Sequence, residues 1–187
     1  MEVKERTRQE IEARLGSMGD YVKIDYLQRA LGTHLDFDTR KFVLTKLSAM
    51  YEDKGMLLEA GKLMKSAAEI NTTFKGKIQD YMKTAELYVR GTNFQDADLM
   101  LAQALALGNE REKIEIKSNY KKFYSDLAQF NIKRDKRQIA KKAYEKYLTL
   151  DLNAIEKKEA QDQLLKLYEK LGNIRDFYRL RDGHIQM

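Results

Sequence analysis

Between Val43 and Ile70 the chain carries two apolar stripes at the three-and-four spacing of a helix, parted by a single glycine. Val43, Leu44, Leu47, Met50 and Tyr51 fall on one face of the first, and Leu57, Ala60, Leu63, Met64 and Ala67 on one face of the second. Gly55 breaks the run between them. Two antiparallel helices joined by a tight turn follow, each with a stripe that only a neighbour covers, and the small Ala60 and Ala67 let that neighbour come close. The sequence contains no proline, so the helices have no internal breaks and the turns fall to Gly, Asn, Asp and Thr.

The pattern recurs. Upstream, Ile11 and Leu15 precede Gly19, and Tyr21, Ile24, Gln28 and Leu31 follow it, with Ile24 in the place of Ala60. Asp36 and Asp38 stand where helix N-caps are expected. Downstream, a stripe from Ile78 to Val89 ends at Gly91 and a second runs through Ala97, Leu101 and Ala104; Ala60 to Ala97 and Ala67 to Ala104 are both 37 residues apart. Ala140 lies 43 residues beyond Ala97, and Phe177 lies 37 beyond Ala140. The longer interval either extends a helix or loosens the turn around Asn131 to Asp135. Five hairpins are expected over residues 1–33, 36–71, 74–108, 110–150 and 152–183 of one domain spanning 1–187. In the last, Ile174, Phe177 and Tyr178 share a helix face expected to pack inward, with Arg175, Arg179 and Arg181 outside, which favours a monomer over a homodimer.

Leu47, Tyr51, Gly55, Ala60, Met64 and Ala67 together resemble the signature of the tetratricopeptide repeat, and the resemblance extends along nearly the whole chain. It implies an all-α fold, a right-handed α-solenoid of about five antiparallel helix hairpins, with a concave groove lined mainly by first helices. The alternative is a compact helical bundle. The absence of the proline that usually closes such a repeat marks a divergent relative. On this resemblance the groove would present Thr45, Ala49, Glu52, Lys83, Glu86, Lys122 and Gln129. Relatives that clamp a chaperone's C-terminal carboxylate use a Lys, Asn and Arg set; this chain has Thr45, Ala49, Lys83, Lys122 and Asp126 at the matching places, without the asparagines, which disfavours that activity.

Composition narrows the function. No apolar run approaches the roughly 20 residues of a membrane-spanning helix, and the opening MEVKERTRQE lacks a signal-peptide core, so a cytoplasmic protein without membrane attachment is expected. With no cysteine, disulfides, thiolate zinc sites and catalytic thiols are excluded. His34 and His184 stand alone near chain punctuation, and phosphate loops, nucleophile elbows and HExxH patterns are absent. No enzyme, cofactor or metal is expected. Adjacent Glu52 and Asp53 read as a solvated helix face.

Charge is unevenly placed. From Glu110 to Thr149 there are 12 Lys or Arg against 6 Asp or Glu, and elsewhere 23 against 23, so this segment carries the whole net charge of +6. Lys133, Arg134, Lys136, Arg137, Lys141 and Lys142 form a candidate basic patch. Three roles fit it: solubility, an acidic protein partner, or nucleic acid. Tyr120, Tyr124, Tyr144 and Tyr147 interleave with it at core spacing and are expected to be buried rather than stacked on bases. The leading expectation is a non-enzymatic adaptor or scaffold holding a peptide or helix of another protein; the second is a basic module contacting RNA or DNA through the fourth hairpin.

Overall fold

Short polar side chains start most of the longer helices. Asp36 accepts from the Thr39 N–H at 2.8 Å, Thr73 from Gly76 at 3.1 Å, Asn93 from Asp96 at 3.3 Å, and Asn153 from Ile155 and Glu156 at 2.9 Å, each satisfying a first-turn donor that has no partner within its helix. Asp38 lies in the first turn behind Asp36. The computed structural model describes residues 3–182 and, among them, ten α-helices and no strand. They are α1 (Arg8–Leu15), α2 (Asp20–Leu31), α3 (Phe37–Asp53), α4 (Leu57–Ile70), α5 (Phe74–Arg90), α6 (Phe94–Leu107), α7 (Glu110–Lys133), α8 (Arg137–Tyr147), α9 (Ala154–Leu171) and α10 (Ile174–Arg181). Each expected hairpin span holds two of them.

The chain forms two compact units, the first ending at Ile116 and the second beginning at Lys117, within α7. In the first unit α2 packs on α3, α3 on α4, α4 on α5 and α5 on α6, and α1 also touches α3. In the second, α8 packs on α9 and α9 on α10. The repeated alanines lie inside this packing: Ala60, Ala67, Ala97, Ala104 and Ala140 are all fully buried. Ser48 donates its hydroxyl to the Ala60 carbonyl at 2.8 Å, which joins α3 to α4 through a buried bond. Gly61 permits the next approach, since a Cβ there would lie 2.4 Å from the ring of Tyr88. A polar tie adds to it: the buried Asp80 of α5 accepts from Asn71 at 2.7 Å and pairs with Lys41 of α3 at 3.0 Å.

One turn is used four times. At the end of α3 the Met56 N–H donates to the Tyr51 carbonyl and Gly55 to Glu52, both at 2.9 Å, the two bonds of a Schellman motif with Gly55 at φ +74°. The same pair recurs with Asn93 to Tyr88 and Thr92 to Val89, with Lys136 to Asn131 and Asp135 to Ile132, and with Asn173 to Tyr168 and Gly172 to Glu169. The left-handed residues are Gly55, Thr92, Asp135 and Gly172, each five before Ala60, Ala97, Ala140 and Phe177. Gly91, which ends the α5 stripe in sequence, is therefore not the left-handed residue. Its φ is −80°, and it is small because a Cβ would meet Leu58 at 2.9 Å.

The interval of 43 residues is resolved by the same comparison. The turn around Asp135 keeps its bonds, whereas α7 has 24 residues against 17 in α3 and in α5, so the extra residues lengthen the helix. The first hairpin differs: Gly19 sits at φ −75° as the N-cap of α2, and Tyr21 is 82% exposed with the Lys54 ammonium 4.1 Å above its ring, not part of the buried stripe. The last hairpin also departs from expectation. Leu180 is buried and Phe177 half-buried, but Ile174 is 67% and Tyr178 49% exposed, so α10 does not turn its whole apolar face inward. The helix has eight residues and packs on α9, a contact that covers only part of that face.

Candidate functional site

Three expected groove residues meet in the first unit. Lys83, one turn from Glu86 on α5, places its ammonium 3.1 Å from the Glu52 carboxylate on α3 and 3.1 Å from Glu86. Arg90, one turn further, pairs with Glu52 and, at 3.2 Å, with Glu86. Two cations and two carboxylates thus neutralise one another across α3 and α5. Burial raises the Glu52 pKa, and the hydrogen bonds and charges of Arg90 and Lys83 outweigh it, holding the carboxyl below its usual range. Arg90 is held charged by the same contacts against its own desolvation.

This corrects one expectation. Glu52 is not a solvated side chain, being 22% exposed and ion-paired, while its neighbour Asp53 is exposed. Arg90 is exposed yet engaged, and it was missed as a site residue. The Glu86 to Arg90 spacing of four shows half of the arrangement in sequence, but Glu52 lies 38 positions from Arg90, and only the packing of both α3 and α5 on α4 brings them within reach.

The other groove residues do not join this cluster. Thr45 is half-buried, with its hydroxyl donating to the Lys41 and Phe42 carbonyls at 3.0 and 2.9 Å, so it is occupied by its own helix. Ala49 and Met50 line an open hollow of about 340 Å³, rimmed by Lys23, Lys46 and Lys54 and by Asp20 and Asp53. In the second unit Lys122 and Gln129 are exposed on α7, with the Gln129 amide donating to Ser125 at 3.3 Å.

The basic patch gathers at the α7–α8 turn. Arg134 stacks over the Phe130 ring at 5.1 Å, Arg137 donates to Asp135 at 2.7 Å, and Lys141 reaches Glu145 only at 4.0 Å. Lys133, Lys136 and Lys142 are exposed, and among the described residues they form no ion pair. Asp135, Lys136, Arg137, Gln138, Ile139 and Leu171 line a second open hollow of about 330 Å³. The nearby tyrosines lie where the spacing puts them. Tyr120, Tyr124, Tyr144 and Tyr147 are 8% exposed or less, and Tyr120 and Tyr124 stack edge to face with their hydroxyls 3.0 Å apart.

His34 is exposed, and His184 lies outside the described residues. Among the described residues no three His, Asp or Glu side chains gather as a metal site, and no helix is long and apolar enough to cross a membrane. No protein-family profile matches the chain, and neither does any curated protein.

Proposed function

We propose that this chain is a divergent tetratricopeptide-like α-solenoid and serves as a non-enzymatic adaptor, binding a peptide or helix of another protein on the surface of its first helices. The observation that carries the reading is the turn repeated at Gly55, Thr92, Asp135 and Gly172, five residues before the buried Ala60, Ala97 and Ala140 and, in the last hairpin, the half-buried Phe177. Recurring bonds at a recurring interval describe one supersecondary unit used several times. Such units stack because none buries its own apolar face, and the stacked surface is extended and suited to a chain-like ligand. The cluster of Glu52, Lys83, Glu86 and Arg90 is internally neutral, so recognition there rests on shape and hydrogen bonding more than on charge.

A cytoplasmic monomer is part of the same proposal. Nucleic-acid binding is the second reading, and the exposed Lys133, Lys136 and Lys142, which form no ion pair among the described residues, favour it. Against it, four of the aromatic rings in the basic segment are buried, and Phe130, though 54% exposed, has the Arg134 guanidinium over one face, which leaves a single half-open ring for stacked bases. The test is affinity capture with the full chain, with and without nuclease, followed by direct binding of each retained partner as a purified protein. Partners that survive nuclease and bind directly support the adaptor; loss of every partner on nuclease treatment overturns it.

A further inference from the structure

The α7–α8 turn holds the largest imbalance of charge in the molecule beside exposed aliphatic surface. Between Lys133 and Lys142 there are six cations and one acid, Asp135, whose carboxylate is already taken by Arg137 at 2.7 Å. The first turn of α8 contains no acidic residue, and Lys136 at its N-cap offers no side-chain acceptor. Cations at a helix N-terminus oppose the helix dipole, so the stability of α8 does not account for Lys136 and Arg137. Beside them the hollow of about 330 Å³ has two half-buried aliphatic side chains, Ile139 of α8 and Leu171 of α9, with Lys136 and Arg137 at its rim.

Resting on the adaptor reading, we propose that this hollow docks an acidic peptide segment, which seats one aliphatic side chain against Ile139 and Leu171 and pairs its carboxylates with Lys133, Lys136 and Lys142. Charge complementarity selects an acidic ligand, since a basic or neutral segment leaves these ammonium groups as they are. The aliphatic surface selects a peptide over a phosphate backbone, which has nothing to place against isoleucine and leucine. A single anchor in a basic rim is the arrangement by which a weak, salt-sensitive encounter acquires a sequence preference.

The test is fluorescence anisotropy with the full chain at about 0.15 M salt, where exposed charges beyond about 8 Å are screened. The probes are a short labelled Glu-rich peptide with one central leucine, the same peptide with a central alanine, and a single-stranded RNA of equal charge. The leucine peptide is expected to bind about tenfold or more tighter than the alanine peptide, as burial of a leucine side chain provides. Lys133→Glu combined with Lys136→Glu is expected to weaken it about tenfold or more, while Lys65→Glu on α4 leaves it unchanged, with helix content checked for each. Equal binding of the two peptides, or no binding of either, overturns the docking site. Leucine-peptide binding undiminished by the double substitution overturns the site but leaves the adaptor reading standing. RNA binding tighter than the peptide and lost with the same lysines overturns both.

Discussion

Thr92→Gly should stabilise the protein by about 1 kcal/mol. Thr92 has φ +60°, a conformation in which an L side chain crowds the following carbonyl and a β-branched one more so, at a cost of about 1–2 kcal/mol. Glycine removes that cost but returns about 0.4–1 kcal/mol through its freer unfolded chain. Little else is lost, because Thr92 is exposed and its hydroxyl forms no hydrogen bond among the described residues. The two backbone bonds of the turn, Asn93 to Tyr88 and Thr92 to Val89, are unaffected. With urea m-values of about 1–3 kcal/mol/M, the midpoint should rise by roughly 0.3–1 M. The reciprocal change is Gly172→Thr at the matching turn, where an added Cβ meets nothing within 4 Å and the cost is backbone alone. Its midpoint should fall by a similar amount. A lowered midpoint for Thr92→Gly, or an unchanged one for Gly172→Thr, would refute the equivalence of the two turns.

Gly61→Ala should cost on the order of 1–3 kcal/mol in denaturant unfolding, since its Cβ would lie 2.4 Å from the Tyr88 ring and α4 must move off α5. Tyr26→Phe should leave the thermal midpoint nearly unchanged. The hydroxyl is buried with no hydrogen-bond partner of ordinary geometry among the described residues and interacts with the Glu5 carboxylate, so its removal sets the loss of that interaction against the end of its desolvation, each about 1 kcal/mol. Glu52→Gln should destabilise the protein near neutral pH and hardly at all in acid. The folded Glu52 pKa is lowered, so its stabilisation is complete above the unfolded value of about 4.5 and is lost as pH falls through the folded value; stability curves of the two proteins against pH should converge there.

The helices were legible because their apolar residues recur at helical spacing and, at the start of α3, because a polar cap, Asp36, precedes them. The left-handed position of a turn was legible only where glycine takes it, as at Gly55, although the turn around Asn131 to Asp135 was placed without one. Thr92 and Asp135 occupy it without the residue that signals it, and Gly91 misled because its smallness serves Leu58 and not the turn. The grouping of Lys133 to Lys142 could be read from composition, but not which members are neutralised, since Arg137 and Arg134 find partners through local geometry. For α10, periodicity showed that Ile174 and Tyr178 share a face, and could not show that no further helix among the described residues covers it.

The repeat architecture is the central claim, and native-state hydrogen exchange tests it most directly. In a repeat array stability is carried by nearest-neighbour packing, so an inner element held on both sides outlasts one held on a single side. Here α4 packs on both α3 and α5, and α5 on both α4 and α6, while α10 packs on α9. The amides of α4 and α5 should therefore show the highest opening free energies, with α1 and α10 lower by at least about 1 kcal/mol and the elements between them graded. One opening free energy shared by all ten helices would contradict the account and describe a single cooperative bundle.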